Sequence, residues 1–510
     1  MVSTIELDGN SLTLDQCIQI ARNNRNIQLS KNAFHNVVAA RNCVMKALKN
    51  NRAIYGLTTG FGALSEKVIS HEQTRQLQRN ILMSHAAGVG RYFDKETTRA
   101  TMLLKINDLA KGHSGVTVEL LETLVDMLNK DVCPMMPEKG SVGASGDLAP
   151  LAHMALVLLG EGHALFEGKL LCGDDAMKYA NIERVTLEAG EGLALINGTQ
   201  VMTAIGVMNV YDALKLLKTA DIAAGISMEV LLASNIELDK RIHKARPHTG
   251  QIISANNLRR IIQDSEIVSS HKDCLRIQDA YSLRCSPQVH GASLDAVHYA
   301  KKIIETEMNA ATGNPLIFPD ADQIVSGGNF HGQPVALAMD FLSIALSEIA
   351  NISERRIERL VNPQLSGLPA FLIKDAGLNS GFMIAQYTAA SLVSENKSLA
   401  HPASVDSIPT SANKEDHVSM GTISARKCRD ILRNTEFVIA IELLCAAQAM
   451  DLFTNLRAGS GTMEAYRCIR QHISHMEEDR IISEDINTMQ KLVHEGDILR
   501  EVEKKIGVLE

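Results

Sequence analysis

Apolar residues recur at three- and four-residue spacing from Val201 to Ser234, with a dense cluster at Ala213, Leu214, Leu216 and Leu217. That period predicts a long helix with a buried face. Phe330 to Val361 repeats the pattern and closes in charged turns, Ser-Glu-Arg-Arg-Ile-Glu-Arg. Glu436 to Leu456 is more apolar and is expected deep within a bundle. Proline placement agrees: none occurs before Pro134, between Pro150 and Pro247, or after Pro409. Proline breaks helix interiors, so long proline-free stretches favour helices. One short hairpin is expected over His163 to Leu171. The pattern predicts a mainly α fold, with an N-terminal region over 1–195 and a long-helix bundle with further helices over 196–510. No fixed-period repeat or low-complexity linker interrupts it.

Size and composition narrow the class. A chain of 510 residues with 45% hydrophobic residues exceeds one ordinary core, so two or three packed subregions are expected. The formal charge of −8 is dispersed, which argues against a nucleic-acid surface. The uncharged window Leu193 to Tyr211 holds Asn197, Thr199, Gln200, Thr203 and Asn209, so a buried helix is expected there rather than a membrane span. The N-terminal residues lack the pattern of a signal peptide, and nine cysteines without a C-x-x-C pair suggest reduced thiols. A cytoplasmic protein is the expectation. No G-x-G-x-x-G follows a predicted strand and no phosphate-binding G-x-x-x-x-G-K-[ST] is present. His71-Glu72 and His494-Glu495 lack the second histidine of a zinc-protease helix, and His472 with His475 reads as a solvated helix face. Neither a metal nor a nucleotide is expected.

The chemistry concentrates in Gly140-Ser-Val-Gly-Ala-Ser-Gly-Asp-Leu-Ala-Pro150. Gly146 has no Cβ, so its nitrogen can bend back onto the Ala144 carbonyl. Attack and loss of water would close a five-membered ring over Ala144, Ser145 and Gly146. A second dehydration at the Ser145 side chain would leave a conjugated methylene, an electrophile that no ordinary side chain supplies. Ala-Ser-Gly alone is a common turn. Its flanks, running from Pro137 through Asp147-Leu-Ala-Pro-Leu-Ala-His153, resemble the signature of the aromatic amino acid ammonia-lyases. The resemblance implies that Ala144-Ser145-Gly146 becomes the 4-methylideneimidazol-5-one (MIO) prosthetic group. It also implies a helical fold of the fumarase/aspartase-like superfamily, with the MIO in the N-terminal region.

Further blocks are similar to the same family. Tyr55-Gly-Leu-Thr-Thr-Gly-Phe-Gly62 looks like its N-terminal loop, and Ser84-His-Ala-Ala-Gly-Val-Gly90 like its selectivity segment. Leu195-Ile-Asn-Gly-Thr-Gln200, Arg276 to Gln288, Gly327-Gly-Asn-Phe-His-Gly332 and Ser411 to Met420 complete the set. The resemblance implies roles for these residues. Tyr281 would be the base, Arg284 would bind the substrate carboxylate, and Tyr55 and Asn197 would orient the amine and the MIO. Gln278 and Phe330 would line the substrate site. Ser-His at 84–85 and Glu415 before Asp-His-Val-Ser-Met resemble the members acting on histidine. His85 and Glu415 can partner a buried imidazole, whose nitrogens otherwise go unsatisfied. The expected reaction is loss of ammonia from L-histidine to give trans-urocanate, the first step of histidine degradation.

Two routes remain open at this point, with either the substrate amine or its aromatic ring meeting the methylene. Members acting on tyrosine or phenylalanine, an aminomutase, a fumarase-type lyase without MIO, and a silent scaffold are the alternatives. Asp147-Leu-Ala-Pro150 reads as a helix start whose positive end would stabilise charge entering the ring. Family members act as homotetramers with shared sites, so a homotetramer binding a small amino acid, with no nucleic acid or membrane, is expected. Lys105, Gly313 and Lys414 depart from the family pattern.

Overall fold

A computed structural model describes residues 4–50, 54–271 and 277–510. Arg276, the first residue of one family-like block, lies outside the described residues. The chain divides into two compact units that are each discontinuous. The first comprises Met1–Met208, Lys301–Asp340 and Pro402–Arg426, and the second Asn209–Ala300, Phe341–His401 and Lys427–Glu510. The division expected at 195/196 falls thirteen residues before the first boundary at 208/209. It also leaves out the two later segments that rejoin the first unit, because periodicity carries no information on long-range return of the chain.

Helices dominate, as the periodicity predicts, with shifted ends. The Val201–Ser234 pattern is the helix Gln200–Val230, and Phe330–Val361 is Gln333–Val361, which starts only after Gly332. Glu436–Leu456 is part of a longer helix, Gly421–Met450. Its first turns carry Arg426, Arg429 and Arg433, which mask the apolar period, whereas Val438 to Met450 is almost wholly buried. The expected hairpin is present, with His163–Phe166 paired antiparallel to Lys169–Cys172. The apolar window Leu193–Tyr211 is two helices, Glu191–Ile196 and Gln200–Val230, interrupted at Asn197 to Thr199. Among the described residues one helix, Gln333–Val361, has the length and composition to cross a membrane, and 67% of its apolar 18-residue window is buried in the chain.

Short sheets in the first unit aim the loops. Val89–Tyr92 pairs antiparallel with Pro137–Lys139, so the chain enters the 140–147 loop from a fixed strand. The loop then feeds the helix Leu148–Leu158, which packs against Thr74–His85 and Glu191–Ile196. Gln78, fully buried, joins these parts: its Oε1 accepts from Gly192 N–H at 3.0 Å, and its Nε2 donates to Gly56 O at 3.4 Å. In the second unit, His472 ends the helix Ser460–His472, and His475 beyond it bonds Asp451 at 2.6 Å. The two histidines therefore do not share a helix face. The eight described cysteines are free thiols.

Candidate active site

The 140–147 loop is held by hydrogen bonds that few of its residues could supply alone. Gly146 sits at φ +75°, in the left-handed region, and forms an isolated parallel bridge with Gly198. A Cβ at Gly146 would lie 2.0 Å from Gly198 O, so only glycine fits. Asp147 N–H donates to Gly198 O at 2.7 Å, and Gly198 N–H donates to Ser145 O at 3.3 Å. The Gly-Thr turn after Asn197 thus grips the Ala-Ser-Gly tripeptide along its backbone.

Asp147 is fully buried and precedes helix Leu148–Leu158, yet its carboxylate does not cap that helix. It accepts instead from Val201 and Met202 N–H at 3.0 and 2.9 Å, satisfying free donors at the start of helix Gln200–Val230. Its other oxygen accepts from Ser141 Oγ at 2.9 Å and from Thr422 Oγ1 in the first turn of helix Gly421–Met450. Three helix N-termini therefore meet at this loop, a positive environment suited to developing negative charge. Burial pushes the Asp147 carboxyl above its usual range, while the bonds from Thr422, Met202, Ser141 and Val201 pull it down.

Lys105, flagged in the sequence only as a departure, is fully buried. Its ammonium donates to Asn197 O at 2.8 Å and Ala194 O at 3.1 Å, and lies 3.6 Å from the Asp108 carboxylate. Burial lowers its basicity, opposed by Asp108. Asp108 in turn accepts from Gln200 Nε2 at 3.0 Å. The cation fixes the backbone of the very segment that grips the tripeptide. Nothing in the structure assigns a site role to the other two departures: Lys414 is exposed, and Gly313 is buried with Ser114 Oγ at 4.0 Å, an ordinary contact, from where a Cβ would stand.

A cavity of about 690 Å³ opens over Ser145. Tyr55, His85, Ser145, Asn197 and Glu415 line it, five of the residues singled out in the sequence. Ser145 Oγ donates to Glu415 Oε1 at 3.3 Å across 270 residues of chain, and Thr410 Oγ1 donates to the other Glu415 oxygen at 3.0 Å. Tyr55 Oη accepts from Gly62 N–H at 3.2 Å and its ring meets Phe61 edge-on. His85 ends the helix Thr74–His85, with Nδ1 3.0 Å from Ser84 Oγ. Burial favours its neutral form, against Ile81 O and the Glu415 charge. Asn197 is buried with no partner for Oδ1, a polar atom awaiting a donor. Apolar walls come from Phe61, Leu64, Ile81, Leu148 and Leu193.

Four expected residues lie elsewhere. Phe330 is half-buried in the turn before helix Gln333–Val361 and is not among the cavity's lining residues. Gln278, Tyr281 and Arg284 belong to the second unit, with Tyr281 76% exposed on the short helix Tyr281–Arg284. Sequence reading missed Ser141, Thr410, Thr422 and the anchoring role of Lys105. Only Asp147, at a helix start, carried a local signal.

A family model for aromatic amino acid lyases matches residues 12–471. The chain is 55% identical over 502 residues to a histidine ammonia-lyase of Alkaliphilus oremlandii, covering 98% of this chain and 99% of that protein. The crystal structure of histidine ammonia-lyase from Trypanosoma cruzi superposes with a TM-score of 0.92 at 44% identity, covering 98% of this chain and 95% of that one. Tyrosine aminomutase from Streptomyces globisporus gives 0.94 at 36% identity, over 99% of both chains.

Proposed function

The chain belongs to the aromatic amino acid lyase family, and from that premise we propose that it eliminates ammonia from L-histidine to leave trans-urocanate. The observation that carries the reading is Glu415 beside Ser145, with His85 and an unpartnered Asn197 Oδ1 on the same cavity. The residues fit an MIO formed from 144–146: Gly146 holds a left-handed turn no other residue could, and the buried Asn197 oxygen faces no donor of its own. When formed, the group supplies the electrophile that makes loss of ammonia feasible.

The chain's own residues do the rest. Glu415 accepts an imidazole N–H, and neutral His85 offers a donor or acceptor to the other ring nitrogen by choice of tautomer. Tyrosine would satisfy one of these groups and phenylalanine neither. Each buried group left unpaired costs about 1–3 kcal/mol, roughly tenfold to a hundredfold in selectivity. Tyr55 orients the amine. The helix N-termini gathered at the loop favour negative charge there, and Asp147 holds them together through its bonds to Val201, Met202 and Thr422. Arg284 would clamp the carboxylate with its planar fork, and Tyr281 would accept the β-proton at its phenolic oxygen as the Cα–N bond breaks.

Tyr281, Arg284 and Gln278 would reach this cavity from another copy of the chain, and we propose a homotetramer with shared sites. The exposed apolar residues Leu337, Phe341 and Ile344, spaced along one helix, support an interface there. A cytoplasmic enzyme of histidine breakdown is the accompanying expectation, with no nucleic-acid or membrane partner. The test is parallel incubation with L-histidine, L-tyrosine and L-phenylalanine, following the conjugated acid in the ultraviolet. Strong preference for tyrosine, or a β-amino acid product, would replace this reading with a tyrosine lyase or an aminomutase. An intact mass lacking the deficit of two waters would point to a lyase without MIO.

A further inference from the structure

The second unit contains a fully buried ion pair with no part in the chemistry so far. Arg356 and Glu442 are both 0% exposed. Arg356 Nε and one terminal nitrogen donate to the two Glu442 oxygens at 2.5 and 2.9 Å, a bidentate fork. Glu442 also accepts from Ser227 Oγ at 2.7 Å and Ser353 Oγ at 2.6 Å. Its charge is therefore saturated within the core. The remaining guanidinium nitrogen points the other way. It donates to Ser282 O at 3.3 Å and lies 3.5 Å from Ser286 Oγ and 3.4 Å from His290 Nε2. His290 Nδ1 sits 2.7 Å from Asp221. Since a guanidinium only donates, His290 accepts at Nε2 and carries its proton on Nδ1 toward Asp221.

Ser282 lies inside the short helix Tyr281–Arg284, which has one turn and no side-chain cap. So short a helix does not hold its shape alone. Upstream, Asp279 accepts from Ser234 N–H at 2.7 Å. Ile277 and Tyr281, at 96% and 76%, are exposed, yet Asp279 and Leu283 between and beyond them are buried. The segment is a one-turn helix at the surface, held through Asp279, through the buried Leu283, and at the Ser282 carbonyl, which accepts from Ser286 Oγ at 3.1 Å as well as from the buried cation.

We infer that Arg356, held by Glu442, is a positioning residue that fixes the Ser282 carbonyl and thereby sets the placement of Tyr281 and Arg284. This rests on the proposed roles of those two residues, and it adds a requirement that the cavity residues do not share. A loosened base or carboxylate clamp loses rate steeply, because misplacement by about 1 Å costs roughly a hundredfold.

Removing one partner of a buried pair leaves the other charge stranded, so Arg356→Met alone is expected to fold poorly. Replacing both with apolar residues is often tolerated. The double variant Arg356→Met/Glu442→Leu keeps the core filled, and Ser227 and Ser353 can turn to carbonyls of their own helices. Expected for this variant are an intact-mass deficit of two waters, kcat lowered roughly a hundredfold, and faster amide exchange confined to residues 278–286. Wild-type kcat together with wild-type exchange in that segment would overturn the inference. The wild type supplies a second arm. Leu283, Arg284 and Cys285 amides should exchange slowly despite the exposure of Tyr281, and loop-like exchange there would equally overturn it. A wild type inactive on histidine would sink the proposed reaction but leave the exchange arms readable.

Discussion

Gly146→Ala tests whether the grip on the tripeptide, and not merely the presence of Ser145, makes the electrophile. Alanine at φ +75° costs about 1–2 kcal/mol of backbone strain. Its Cβ would stand 2.0 Å from Gly198 O, where ordinary contact begins near 3.4 Å. The strands of the grip must part by over an ångström. That breaks Asp147 N–H to Gly198 O, now 2.7 Å, and Gly198 N–H to Ser145 O, now 3.3 Å. Each of these two broken buried bonds costs about 1–3 kcal/mol. The local penalty is therefore about 3–8 kcal/mol, enough to remove the compact turn while the rest of the first unit remains packed. The expected protein is soluble and helical, lacks the two-water mass deficit, and has no measurable lyase activity. Intact-mass spectrometry reads this directly, with circular dichroism as the control for folding. A variant with the full deficit and near-native turnover would refute the reasoning.

Other outcomes follow from the same geometry. Ser145→Ala should fold normally and lose turnover, since alanine has no hydroxyl to eliminate; retained activity would end the MIO hypothesis. Glu415→Ala should cut histidine turnover far more than any residual tyrosine turnover, and equal losses on both would remove the substrate assignment. Dilution to monomers, followed by light scattering, should abolish activity if Tyr281 and Arg284 act on another copy's cavity; a fully active monomer would refute that. His494 bonds Glu436 at 2.9 Å, which raises its basicity in the fold. A raised folded value stabilises below the unfolded value of about 6.5 and loses that contribution as pH rises through the folded value. His494→Gln should therefore lower the thermal midpoint more at about pH 6 than at about pH 9, and an equal loss at both would exclude the linkage.

The local chemistry was legible in the chain because it is short-range. Only Gly146 can take the left-handed turn beside Ser145, and Asp147-Leu-Ala-Pro150 announces a helix start whatever the surroundings. The long amphipathic helices were legible for a similar reason, since a half-buried face imposes its period on the sequence. Helix Lys95–Ala110 was not, because it is buried nearly all round and so has no stripe to read. Its Lys105 read only as a departure from the family pattern, and only packing turned it into the anchor of Asn197. Tertiary structure also decided that Asp147 serves the start of another helix, and that Glu415 meets Ser145 across 270 residues. It likewise set Tyr281 and Arg284 in the other unit, facing solvent or turned partly inward, on a one-turn helix tied to a buried guanidinium. Such pairings depend on where distant segments pack, and no residue carries that information within its own few neighbours.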